Sequence, residues 1–317
     1  MEVTMLTFAL RRLLAVVPIL FLVSLGSFLL LQLAPGDAAT TLAGDNATPE
    51  AVERIRTELG LDRPLWAQYL QFAGGALGGD FGTSLTSGQP VLTTILDRLP
   101  VTLSLMALVL VVCLAVAVPM GVFAGVRANS AIDRVMVALS SVGMAAPSFL
   151  VGLILVSVFT FQFKLLPATG YVPFTTSPWG WFSHLILPAA ALALIPAAEV
   201  LRISRSSIQE ALEQDYIRTA WAKGLPGAYI VLRHALRNAL SPMVTVLGLQ
   251  VARIIGGAVV VEKVFNVPGL GTLTIQSVLA ADASMIMGVV LFVSVAVVLI
   301  NMIVDLFNVA LNPRAHA

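Results

Sequence analysis

Leu13–Leu33, Val101–Val126 and Val135–Phe163 are runs of at least 21 residues without one charged side chain, and such runs dictate the solvent in which a chain can fold. A bilayer core about 30 Å thick is crossed by roughly 20 apolar residues of helix. Three further runs meet that test with one interruption each: Leu185–Leu201 by Glu199, Ala239–Val261 by Arg253, and Ala283–Leu311 by Asp305 near its end. Only 11% of the residues are charged and the mean hydropathy is +0.94, where a soluble domain carries about 25% charged residues. The sequence therefore predicts an all-α integral membrane protein with six transmembrane helices. Arg11 and Arg12 precede the first run, as basic residues precede a signal peptide. A run of 21 residues exceeds the roughly 7–15 of a signal peptide's apolar region, so an uncleaved anchor is expected.

Six crossings put both termini on one side, and Lys and Arg choose it, because they are retained on the cytoplasmic face. With the N-terminus inside, the inner segments hold eleven cations: Arg11, Arg12, Arg127, Arg134, Arg202, Arg205, Arg218, Lys223, Arg233, Arg237 and Arg314. The outer segments hold six, Arg54, Arg56, Arg63, Arg98, Lys164 and Lys263. Four of these, Arg54, Arg56, Arg63 and Arg98, fall in an outer loop of about 65 residues, where charge counts for little. The expected orientation is N-in and C-in.

That outer loop reads as a small folded element. In "ATPEAVERIRTELGLDRP", Thr48 can cap a helix, Pro49 suits its first position, and Glu50 and Glu53 favour its positive end. Gly60 and Pro64 stop it. The "GGALGGDFGTS" beyond lacks the Lys-Ser/Thr ending of a phosphate-binding loop, and no nucleotide-binding motif occurs elsewhere. Cys113 lies inside an apolar run and reads as a small buried hydrophobe. His184, His234 and His316 show no ligand spacing, and a net charge of +1 gives no electrostatic reason for a nucleic-acid partner.

Between the fourth and fifth runs stands a long polar segment, "DYIRTAWAKGLPGAYIVLRHALRNALSP", Asp215–Pro242. A basic cytoplasmic loop needs no explanation beyond the positive-inside rule, but the order of residues here predicts structure. "RTAWAKG" followed by Leu225, Pro226 and Gly227 reads as a short helix, a glycine stop at Gly224 and a turn. A second helical run leads to Pro242. A short helix with Ala220 and Ala222 at its centre and Arg218 and Lys223 at its rim suits close docking of a partner surface.

This segment resembles the cytoplasmic "EAA" loop of ABC importer permeases, in the form found in the dipeptide/oligopeptide/nickel permease family. Asp215, Tyr216, Arg218, Thr219, Ala220, Ala222, Lys223, Gly224 and Leu225 match the first half of that pattern. Arg233, His234, Ala235, Leu236, Asn238, Ala239, Leu240 and Pro242 match the second. Arg218 and Thr219 stand where the wider superfamily has Glu-Ala. The resemblance extends to "FALRRLLAVVPILFLVSLGSFLLLQLAPGD", "GDFGTSLTSGQPVLTTILDRLPVTLSL", "GGAVVVEKVFNVPGLG" and the closing "NPR". It implies a permease subunit of a binding-protein-dependent importer in a bacterial cytoplasmic membrane. In such importers a second homologous permease chain completes the pore. Two ABC ATPase subunits bind ATP and magnesium, and an extracytoplasmic binding protein delivers the substrate, here a small peptide. This chain itself would hold no cofactor and catalyse nothing. The resemblance divides it into a first span (1–34), an extracytoplasmic loop (35–99), a permease core (100–312) with its coupling loop at about 203–238, and a tail (313–317). It makes Asp215, Tyr216, Arg218, Thr219, Ala220, Lys223, Gly224 and Leu225 the ATPase-coupling residues. Arg127 and Arg134, in the inner turn between the second and third spans, would make a smaller contact or act as snorkelling anchors.

Ionisable residues at membrane depth are costly. Arg253 either lines the translocation path and attracts a substrate carboxylate or pairs with an acid of a pore chain. Glu199 is a second pathway candidate, with Arg202 three residues on as the expected local partner. Small residues at Gly248, Ala252, Gly256, Gly257 and Ala258 suit a close helix contact, with the pore-chain interface as one place for it. A secondary transporter using Glu199, Arg253 and Asp305 without an ATPase is the main rival reading. It would be favoured by paired broken helices. Peptides, glutathione, nickel chelates and some oligosaccharides are all substrates of relatives of this general type.

Overall fold

The computed structural model describes residues 2–33, 38–43, 47–58 and 60–311, at backbone level alone for 2–13, 15, 31, 33, 38, 41, 42 and 305–311. Within these the chain is helical, in the order α1 (Glu2–Leu33), α2 (Ala38–Ala43), α3 (Pro49–Glu58), α4 (Leu65–Leu77), α5 (Val91–Val126), α6 (Ala131–Ala145), α7 (Ser148–Gln162), α8 (Pro178–Leu212), α9 (Asp215–Ala222), α10 (Gly227–Val264), α11 (Leu270–Leu279) and α12 (Ala283–Leu311). Arg314, His316 and the "NPR" ending lie outside the described residues, as does the Pro35-Gly36-Asp37 exit of the first span. So do the side chains of Arg11, Arg12 and Asp305.

Four helices among the described residues are long and apolar enough to cross a bilayer: α5, α8, α10 and Ala283–Val304 of α12. Apolar residues of α1 cover Val16–Leu30. The third expected span, a single helix over Val135–Phe163, is corrected: it is two helices, α6 and α7, bent by 103° at a short break. The cause is local. A residue before proline is pushed out of the helical region, and both Ala146 (ψ 125°) and Pro147 (ψ 130°) are extended. With up to five spans counted when the bent pair is taken as one, α8 and α10 also outrun their predicted limits. Both continue well past the apolar stretch into polar ends.

The first of two compact units comprises 1–100 and 269–299. Thr48 accepts the Ala51 amide at 3.3 Å and Gly60 adopts φ +66°, so α3 starts and stops at the expected signals. Tyr69 of α4 hydrogen-bonds Ser24 of α1 at 2.9 Å and meets the rings of Phe21 and Phe28 edge-on. The loop before α5 is tied down by Asp282, a buried carboxylate that caps α12. It accepts from Met285 N at 3.1 Å, the Ser84 hydroxyl at 2.5 Å, and the amides of Leu85 and Thr86 at 3.2 and 3.3 Å. Around it Val91, Ile95, Leu270, Leu273, Met285 and Val289 form an apolar core.

The second unit comprises 101–268 and 300–317. Its core joins Leu105, Val109 and Cys113 of α5 to Leu185 and Ala189 of α8 and to Ile254, Ala258 and Val261 of α10. Small residues set the spacing. A Cβ on Gly121 would lie 2.5 Å from the Leu201 carbonyl oxygen, and one on Gly125 2.8 Å from that of Arg205. The two glycines are four residues apart on one face of α5, the arrangement that lets helix backbones approach in a membrane. Two of the small residues expected to allow close helix contact make it within this chain: Gly248 abuts Val304 and Ala258 is buried. The helix-facing side of a span is where close packing demands small side chains, and α10 has neighbours within its own unit.

Candidate functional site

Two polar features of the second unit stand out. The first is the polar segment Asp215–Pro242. α8 ends at Leu212, two residues link it to α9, and α9 stops where Gly224 takes φ +74°. That left-handed geometry lets the Gly224 amide bond the Trp221 carbonyl at 2.9 Å and the Leu225 amide bond that of Ala220 at 3.3 Å, closing the helix as the sequence predicts. Helix α9 is two-faced. Ile217 and Ala220 are buried against Ile208, Ala211, Ile230 and Ala235, and burying an isoleucine side chain contributes about 1.5–3 kcal/mol. Asp215, Tyr216, Arg218, Thr219, Trp221, Ala222, Lys223 and Gly224 are exposed. Arg218 pairs with Asp215 at 3.3 Å, and Asn238 of α10 donates to the Tyr216 hydroxyl at 2.6 Å.

Ala220 is the correction here. Its side chain faces the chain's own core, so its smallness serves internal packing, and Ala222 is the small residue left on the outer face. Trp221, 53% exposed, joins that face without having been singled out from the sequence.

The turn between α5 and α6 is anchored by a residue that sequence reasoning missed. Ser130 caps α6 by accepting the Asp133 amide at 3.2 Å, while Asp133 accepts the Asn129 amide at 2.9 Å. The Ser-x-x-Asp spacing is the signal that could have found it. Asp133 is also held by a two-pronged ion pair from Arg205 of α8, whose Nη2 donates at 2.8 Å. Arg127 lies 4.2 Å over the Phe123 ring, and both Arg127 and Arg134 are exposed.

The second feature lies within the spans. Arg253 of α10 donates from Nη1 to Glu199 Oε1 of α8 at 2.6 Å, and Gln250 donates to the other carboxylate oxygen. The local partner expected for Glu199 is therefore corrected: among the described residues no ion pair joins it to Arg202, whose Nη1 instead meets Met144 Sδ at 3.4 Å. The facing helix α10 brings both a guanidinium and an amide to the Glu199 carboxylate, where the i,i+3 neighbour on α8 offers one cation alone. Arg253 stands ten residues, about 15 Å, from Lys263 and sixteen, about 24 Å, from Arg237 along the helix axis, which places it at membrane depth. Its side chain is 62% exposed and that of Glu199 24%. Gln250 is buried, and its carbonyl oxygen has no hydrogen-bond partner among the described residues. A buried acceptor left unpaired costs about 1–3 kcal/mol. Beside Glu199 a cavity of about 450 Å³ opens between α6, α8 and α10, lined by Val137, Met144, Arg202, Ser206 and Val246.

Known proteins match this chain along nearly its whole length. A family described as "Binding-protein-dependent transport system inner membrane component" matches residues 117–317, and the N-terminal component of such systems matches residues 5–106. A protein of Sinorhizobium fredii, named a probable peptide ABC transporter permease, is 41% identical over 307 residues, covering 97% of this chain and 98% of its own length. The glutathione transport system permease GsiC of Escherichia coli is 39% identical over 309 residues, 98% of both chains.

Proposed function

The chain belongs to the family of binding-protein-dependent transport system inner membrane components, and from that premise we propose that it is a pore-forming permease of an ATP-driven importer of short peptides. Docking to a separate ATPase uses α9. The observation that carries this is the two-faced build of that helix. Ile217 and Ala220 fix it to the bundle, while Tyr216, Arg218, Trp221 and Lys223 stand exposed on its other face. A helix so anchored transmits a push as a rigid body. ATP-driven closure of two ATPase subunits would displace it together with α8 and α10, switching the pore between two states. ATP and magnesium belong to those subunits, since this chain carries no nucleotide motif.

In this reading α1, α5, the broken pair α6–α7, α8, α10 and α12 make six crossings with both termini in the cytoplasm of a bacterium. Residues 35–99 form the extracytoplasmic loop that meets the binding protein, and a second homologous permease completes the pore. Arg127 and Arg134 make the smaller inner contact, and Arg253 and Glu199 line the path. Peptides are the favoured substrates because relatives named for peptide and for glutathione transport, the latter itself a short peptide, share about 40% of the sequence.

The complex encoded with its genomic neighbours, reconstituted in vesicles, should hydrolyse ATP faster when the binding protein and a dipeptide are both added. Arg218→Glu with Lys223→Glu, on the exposed face, should remove that stimulation or the ATPase subunits themselves. Peptide uptake by the permease without any ATPase would overturn the proposal.

A further inference from the structure

Glu199 has a guanidinium on either side and is engaged by only one of them. Arg253 gives it a single N–H, and among the described residues its other four donors make no hydrogen bond, on a side chain 62% exposed. Arg202, three residues further toward the cytoplasmic end of α8, lines the cavity beside Glu199, and among the described residues its guanidinium meets the Met144 sulfur alone, a weak acceptor. Arg205, the next cation in line, is already committed to Asp133. The buried Gln250 holds Glu199 in place from behind. An arginine 62% exposed at this depth does not face lipid, where a cation is costly.

We propose that Arg253, Glu199 and Arg202 form a hand-over site for the terminal carboxylate of the peptide. This rests on the importer reading above. The carboxylate first binds the free donors of Arg253 and loosens its bond to Glu199. It then enters the cavity and pairs with Arg202, while Glu199 takes Arg253 back. Glu199 serves as the counter-ion that keeps Arg253 from holding the carboxylate too tightly. At the same level it can receive the peptide's terminal ammonium. A cavity of about 450 Å³ lined by Val137, Met144 and Val246 lies within the roughly 300–1,000 Å³ of small-ligand sites and offers apolar walls to side chains.

The test uses the full importer in vesicles and labelled dialanine. The charge-swapped double variant Glu199→Arg/Arg253→Glu keeps an ion pair between α8 and α10 but reverses its polarity. Its thermal midpoint should stand close to wild type while dialanine uptake falls at least tenfold. Arg202→Gln, which leaves the Glu199–Arg253 pair intact, should lower uptake by a similar factor. Wild-type uptake by the swapped variant would reduce the pair to a structural brace and overturn the inference, with the importer reading untouched. If the swapped variant does not fold, Arg202→Gln decides, and unchanged uptake overturns the inference. No dialanine uptake by the wild-type complex would instead remove the importer reading itself.

Discussion

At Gly224 a single residue's conformation decides the length and exit angle of α9. Its φ of +74° is accessible to glycine without strain, and a Cβ placed there would meet no atom within 4 Å. Substitutions are thus judged on backbone conformation alone. An ordinary L-residue in the left-handed region costs about 1–2 kcal/mol, a factor of roughly 5–30 in population. Asn tolerates that region and Val does not. Gly224→Asn should therefore keep most of the substrate-stimulated ATP hydrolysis of the assembled complex, whereas Gly224→Val should lose most of it. Equal behaviour of the two variants would show that the left-handed turn is dispensable. Signals of this local kind were legible in the sequence: Thr48 and Gly60 bound α3, and Gly224 ends α9. Side chains that find partners far along the chain were not. Arg253 is 54 residues from Glu199 and Asp282 is 198 from Ser84, and in each case only the fold brings the two ends together.

Among the helices, what the sequence leaves open is which prolines break a span. Pro18, Pro100, Pro188, Pro196 and Pro242 all lie inside continuous helices. Pro147 alone separates α6 from α7. The difference is that two consecutive residues, Ala146 and Pro147, become extended, and hydropathy carries no trace of that choice. The association of α5 with α8 rests on a Gly-x-x-x-Gly step, Gly121 and Gly125, that hydropathy likewise did not single out. Backbone oxygens of Leu201 and Arg205 occupy the space that side chains at Gly121 and Gly125 would need, and backbone cannot move aside as a flexible side chain can. Gly121→Ala should cost about 1–3 kcal/mol of overpacking and lower the thermal midpoint of the purified protein. Gly74→Ala in α4, where a Cβ meets nothing within 4 Å, should leave that midpoint unchanged or raise it, since alanine gains up to ~1 kcal/mol of stability over glycine in a helix. A Gly121→Ala protein as stable as wild type would mean that α5 and α8 are not locked at this spacing.

For the molecule as a whole, the decisive property is which ends of the helices share a side of the membrane. The proposed arrangement puts the turn after α5 and the link after α8 in the cytoplasm, and the segments before α4 and before α8 outside. The chain carries one cysteine, Cys113, with no exposed surface, so it contributes no background to labelling by a bulky thiol reagent. Ala128, Glu213, Asp62 and Thr175 are each exposed in those four segments. Introduced one at a time as cysteine, Asp62→Cys and Thr175→Cys should react with a membrane-impermeant maleimide in intact cells, and Ala128→Cys and Glu213→Cys only after permeabilisation. The positive-inside argument stands or falls on this pattern, because Arg127, Arg134, Arg202 and Arg205 flank the two inner sites. Reversal of all four would invert the chain and place α9 outside, beyond the reach of a cytoplasmic ATPase. Labelling of Ala128→Cys and Thr175→Cys from the same side would mean that the bent pair α6–α7 does not cross but re-enters. The span count would then become odd, and the two termini would lie on opposite faces.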